Sequence, residues 1–239
     1  MSQTRAQLTT LARELADAVD SPRWSDGSIQ SLLGLAQWTE LGKLLNVNNQ
    51  YYTNGAAGDL TVTQDSNGQF NWSDLTTGSG DSVKTVYRVI TLGQPAGSAQ
   101  GSSGPLYYKW VPYIRYPAPQ PSTSLPYVWT VVGTKVQVQP AVSGQQMQAV
   151  VNYRPCQVQN LSADSVAVPF PDGYEQLLAY LAGAMMLDKG GAEAGAANVL
   201  LANAESIRND MFLDLGRNST QPTIAQTFDN PQDWGGTNY

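Results

Sequence analysis

The sequence predicts an α+β fold in which helices from the two ends of the chain form an α-helical bundle. A large antiparallel β domain is inserted between them, and an extended tail follows. Three observations carry this. Apolar residues recur at helical spacing in residues 1–50 and again in 169–217. Between them, in residues 51–168, the period changes to two and Gly, Pro, Asn and Ser punctuate every run. Residues 218–239 have no period, two prolines and little charge, and cannot bury enough surface to fold alone.

The first helical pair rests on Leu8, Leu11, Ala12, Leu15 and Val19, with Asp20-Ser21-Pro22 as the stop. Ser25 or Asp26 caps the second helix, whose stripe of Ile29, Leu32, Leu33, Ala36, Leu41, Leu44 and Leu45 runs to about Asn46. Gly34 and Gly42 are its weak points.

In the β region the expected strands are 60–63, 70–73, 83–91 and 107–113, followed by a three-strand meander over 127–153 and a short piece near Val166. In the meander Tyr127, Trp129 and Val131 share one side, and Val136 and Val138 oppose Lys135, Gln137 and Gln139. Pro140 cannot donate to a ladder and stops the middle strand. The sheet thus has an apolar face for a core and an amide-rich face for water or a polar partner. Residues 93–105 and 115–126 read as long exposed loops, which are uncommon in a compact domain unless they make contacts.

The helical period returns at Pro169. Asp172 with Glu175 reads as an Asp version of the capping box, and Leu177, Leu178, Leu181, Ala184 and Met185 form the stripe. Lys189-Gly190-Gly191 breaks it, and a last helix from Ala192 to about Gly216 carries Leu200, Ala204, Ile207 and Met211 on one side.

Only 13% of the residues are charged, with a net charge of -6 concentrated in the C-terminal third. An average domain has about 25%. Such a surface of neutral polar groups favours extended protein contacts over steering by charge. Clustered Lys and Arg are missing, which argues against gripping nucleic acid by its phosphates. No apolar run is long enough for a membrane span, and the amphipathic first segment has no secretory core. With no histidine and one cysteine, Ser-His and Cys-His catalysis and the usual zinc sets are excluded, and Cys156 reads as a small packed residue. No phosphate-loop, dinucleotide or nucleophile-elbow motif is present. Asp172 and Glu175 could serve a hydrolase in principle, but capping explains them more simply. The expectation is a protein that is not an enzyme and holds no cofactor, no metal and no catalytic residue.

The order Tyr127, Trp129, then Val132-Gly133-Thr134-Lys135-Val136, Pro140, Tyr153, Pro155, Leu161 and Asp164, with Pro169 ahead of Tyr174, Leu177 and Leu178, is ordered and long. It resembles the tailed-bacteriophage head-to-tail adaptor (connector) proteins over about Tyr127 to Arg217, and Trp24-Ser25-Asp26 looks like that family's opening helices.

The resemblance implies a structural ring subunit, a dodecamer of neighbouring adaptor subunits beneath the portal protein, assembled in the host cytoplasm and found at the head-tail interface of the virion. A downstream tail component (stopper, nozzle or tail terminator) docks below, and DNA passes through without specific binding. In such a ring Lys135, Gln137 and Gln139 face a neighbour or the lumen, Asp188, Glu193 and Asp210 are candidate lumen acids, and Phe228, Trp234 and Tyr239 anchor the tail on a portal or neighbour. A carbohydrate- or receptor-binding β module of a virion is the alternative reading.

Overall fold

The computed structural model describes residues 2–17, 23–48, 52, 61–71, 80–95, 108–111, 113, 128–133, 135–139, 141, 143–144, 146–190 and 194–217. Thr4 opens the first helix, α1 (Arg5–Leu15), through a capping box: its hydroxyl accepts from the Gln7 backbone N–H, and the Gln7 side chain accepts from the Thr4 N–H. The helix ends at Leu15, short of the expected stop at Asp20. Asp17 takes a left-handed φ of 48° and its N–H turns back to the Glu14 carbonyl, which terminates the helix. Val19 lies outside the described residues. Ser25 caps α2 (Asp26–Val47) as expected, its hydroxyl accepting from Ser28 N–H at 3.2 Å. Gly34 and Gly42 are places of close approach, where the Gln159 and Arg154 side chains press against α2.

The β region forms two packed sheets. The strands are β1 (Thr61–Thr63), β2 (Gln69–Asn71), β3 (Thr85–Pro95), β4 (Tyr108–Val111), β5 (Val128–Val132), β6 (Lys135–Gln139) and β7 (Gln146–Arg154). One sheet has the order β1-β7-β3-β4 and the other β2-β6-β5. Val62, Leu92, Met147, Ala149 and Val151 from the first and Phe70, Trp129, Val136 and Val138 from the second share one apolar core.

Two expectations change here. The three strands of 127–153 do not form a meander, because β5 and β6 pair with each other whereas β7 crosses to the other sheet and pairs with β1 and β3. Alternation along a strand specifies which side is apolar, and both sheets turn that side inward, so the sequence pattern fits either partner. The strand expected over 83–91 extends to Pro95 and pairs with β4, taking in Gly93 and Gln94 that read as loop.

The turn joining β1 and β2 depends on Gly68. Asp65 accepts the N–H groups of Asn67 and Gln69, both at 2.8 Å, and these bonds, led by the one from Gln69, hold its carboxyl below the usual range. Gly68 has φ 72°, and a Cβ on it would lie 2.4 Å from the Val138 carbonyl oxygen. Strain and backbone collision each cost about 1–3 kcal/mol. Gly68→Ala is therefore expected to lower the urea midpoint of unfolding by an amount equal to about 2–6 kcal/mol. A midpoint within error of wild type would show that this turn is not locked.

Beyond the sheets, residues 155–171 lie across the bundle. The fully buried Gln37 of α2 holds this segment, donating to the carbonyls of Cys156 and Pro169 and accepting from Val158 N–H at 3.1 Å. The piece near Val166 is an isolated bridge, Ala167 to Thr4, beside the start of α1.

The third helix, α3 (Gln176–Gly190), starts later than the Asp172 cap predicts. Pro171 and Gly173 (φ 87°) form a turn first, and the Glu175 carboxylate folds back onto Gly173 N–H at 2.9 Å. Asp172 instead accepts a bond from the Ser2 hydroxyl. The last helix, α4 (Ala194–Arg217), runs antiparallel to α3, since Leu200 meets Gly183 and Asp214 meets Tyr174. All four helices share the second apolar core, so the two ends of the chain do close one bundle.

Candidate assembly surfaces

Two polar joints hold the layers together. Glu40 of α2 is 1% exposed, and Arg208 of α4 grips it with both prongs, Nε to Oε2 at 2.6 Å and Nη2 to Oε1 at 2.9 Å, while Lys43 adds a bond at 2.8 Å. The bonds to Glu40 are the main reason that the Arg208 pKa rises above its ordinary value. Arg208 also bonds Glu205 on its own helix. On the other flank of α2, Arg88 of β3 bridges Asn152 Oδ1 at 2.6 Å and the Leu45 carbonyl at 2.8 Å. The Arg154 guanidinium stacks between Trp38 (5.1 Å) and Tyr87 (4.4 Å).

Trp38 and Glu40 are two residues apart, hence about 200° round the helix. The sheets and α4 therefore lie on opposite flanks of α2. Tyr174 donates a hydrogen bond to Asp214, tying the start of α3 to the end of α4 and pushing the phenol up to about 12. A raised phenol pKa means that this bond stabilises the fold fully below about pH 10, the unfolded tyrosine value, and is lost as pH rises through about 12.

The face of β6 singled out by its amides is graded. Lys135 is exposed, Gln137 half-buried, and Gln139 only 8% exposed, with its Oε1 unpartnered among the described residues. Lys135 sits in register between Asn71 and Val132, and Gln137 between Gln69 and the buried Thr130. The reachable part of that face is its Lys135 end; Gln139 is covered within its own chain.

The candidate lumen acids are not brought together. Asp188 is exposed at the α3–α4 turn, and Asp210 is exposed near the far end of α4, on the order of 20 Å along the hairpin at about 1.5 Å per residue. Glu193, Phe228, Trp234 and Tyr239 lie outside the described residues. Cys156 is buried, and burial is the first cause raising its thiol pKa. Among the described residues no group of three or more acids, cysteines or histidines is placed to hold a metal, and no helix is long and apolar enough to cross a membrane.

Reading the sequence alone missed Glu40 and Arg208. Glu40 falls four residues before Leu44 and four after Ala36, inside the apolar stripe, and a charge at that phase is the signal that it has a buried partner.

A family model described as SU10 adaptor protein matches residues 3–227, through both helical parts and the β region between them. The chain belongs to the SU10 adaptor protein family. None of the curated proteins compared with it matches. As a member of the SU10 adaptor family it is a structural component of a bacteriophage, a part of the virion that associates with head and tail proteins. The match runs through residues 54–126, so the part of the β region that holds β1 to β4 lies within the family's span. It stops before Phe228, Trp234 and Tyr239.

Proposed function

We propose that copies of this chain form a ring beneath the portal, connect the DNA-filled head to the next tail component (stopper, nozzle or tail terminator) and continue the DNA channel without binding DNA specifically. The observation that carries this reading is the family match over residues 3–227. The low charge supports it, because a channel wall without clustered Lys and Arg does not hold phosphates. So does the layered build, which gives one subunit two unlike outer faces, as closure of a ring by head-to-tail contacts needs. The chain is low in charge and rich in neutral polar residues, whereas obligate oligomers carry more hydrophobic contact surfaces, and on that ground the free chain is a monomer that closes into a ring on the portal.

Light scattering of the full chain alone and mixed with the portal assembly of its phage tests this. The expected result is a monomer that becomes a ring-sized complex only with portal. A stable ring without portal would overturn the templating. Electron microscopy of intact particles showing no ring of this chain at the head-tail vertex would overturn the function.

A further inference from the structure

Resting on that ring reading, the geometry points to the contact that closes it: we propose that the outward face of α4 on one copy packs against the Lys135 end of the β2-β6-β5 sheet on the next copy.

Within α4, Arg208 reaches inward to Glu40 on α2, and Val199 lies nine residues earlier, about 180° round the helix. Val199 is 60% exposed and Leu213, fourteen residues on, is 56% exposed, so the two share the outward stripe, with Ser206 and Asp210 between them. This stripe is not built for water. Residues 194–204 hold no charge at all, where a surface helix ordinarily presents charged side chains on its free face.

The opposite pole of the subunit lies beyond the sheets. α2 separates α4 from the β1-β7-β3-β4 sheet, which Arg88 and Arg154 fasten to it, and the β2-β6-β5 sheet covers the far side of that sheet. Its outer row of Asn71, Lys135 and Val132 is exposed.

A ring built by one repeated contact requires two different patches on separate sides of the same subunit. These two meet that requirement and match in chemistry. Each has apolar groups, Val199 and Leu213 against Val132, among neutral amides and hydroxyls. Each carries an exposed charge outside the close ion pairs of the described residues, Asp210 against Lys135, of opposite sign; Asp214 beside Leu213 adds a second acid to the α4 side, and Lys135 also feels the Asp65 carboxylate of its own β1–β2 turn. The contact places Asp210 between subunits and, of the candidate lumen acids among the described residues, leaves Asp188 available to a channel wall.

The test uses the full chain carrying Lys135→Cys and Asp210→Cys, assembled with the portal of its phage and oxidised. Wild type, whose one cysteine is buried, is the blank. A ladder of crosslinked copies on a non-reducing gel is expected for the double variant and none for either single variant. In parallel, Lys135→Glu and Asp210→Lys should each reduce ring assembly at least about tenfold, and the chain carrying both reversals should recover it. Both positions are exposed, so circular dichroism should show folded protein throughout. Rings that form but give no ladder would overturn this contact and leave the ring reading standing. Wild-type chain that forms no ring with portal would overturn the ring reading and this contact with it.

Discussion

Replacing Arg208 with methionine is expected to destabilise the protein by about 3 kcal/mol. Glu40 is 1% exposed and the Arg208 side chain 13%, so the change removes a bidentate partner and leaves a carboxylate in a place where water cannot replace it. Loss of one partner from a buried pair costs about 3–5 kcal/mol, and the lower end applies because Lys43, itself 46% exposed, still bonds Glu40 at 2.8 Å. Pairing Arg208→Met with Glu40→Leu should bring stability back to within about 1 kcal/mol of wild type, since a well-packed apolar pair can replace a buried ion pair. Urea unfolding of the two single variants and the double variant reads this directly. A loss in the double variant equal to the sum of the two single losses would mean that the pair contributes no coupling, and that packing alone joins α4 to α2.

The largest functional effect is expected from removing residues 218–239. The truncated chain should fold with an unchanged melting temperature and fail to attach to DNA-filled heads. Ordering about twenty residues costs on the order of 1 kcal/mol each. Burying three aromatic side chains, Phe228, Trp234 and Tyr239, returns about 2–3 kcal/mol apiece, which is too little by itself. A docked tail must therefore also form many backbone hydrogen bonds, by adding to a sheet edge or lying in a groove, at about 1 kcal/mol each. Repetition round a ring multiplies the effect, because each docked tail raises the local concentration of the others. Phe228→Ala with Trp234→Ala should then reproduce most of the defect. Truncated protein that still docks and yields infectious particles would move the anchor to the bundle or the sheets.

The sequence by itself determined the fold class and the place of most elements along the chain. Ser25 at a cap, the apolar stripe of α2, the break after Lys189 and the strands around Trp129, Val136 and Val151 all follow from chemistry within a few residues of each position, which a linear reading can see. Capping geometry was less legible. Asp172 and Glu175 have the right spacing for a capping box, but Pro171 and Gly173 turn the chain before the helix begins, and Glu175 is spent on that turn.

Pairing was decided only by the tertiary structure. β7 alternates in the same way whether it joins β6 or β3, and an alternation of period two carries no information about which partner lies beside it. The same holds for the surfaces. Lys135, Gln137 and Gln139 are equivalent in the pattern, yet packing of the chain covers Gln139 and leaves Lys135 open. The Glu40–Arg208 grip spans 168 positions, and Asp188 and Asp210, both acids of the C-terminal helices, end up at opposite ends of one hairpin. Such distances depend on how helices and sheets stack, and stacking is set by the sum of many contacts between segments far apart in the chain, not by the residues that neighbour each one in sequence.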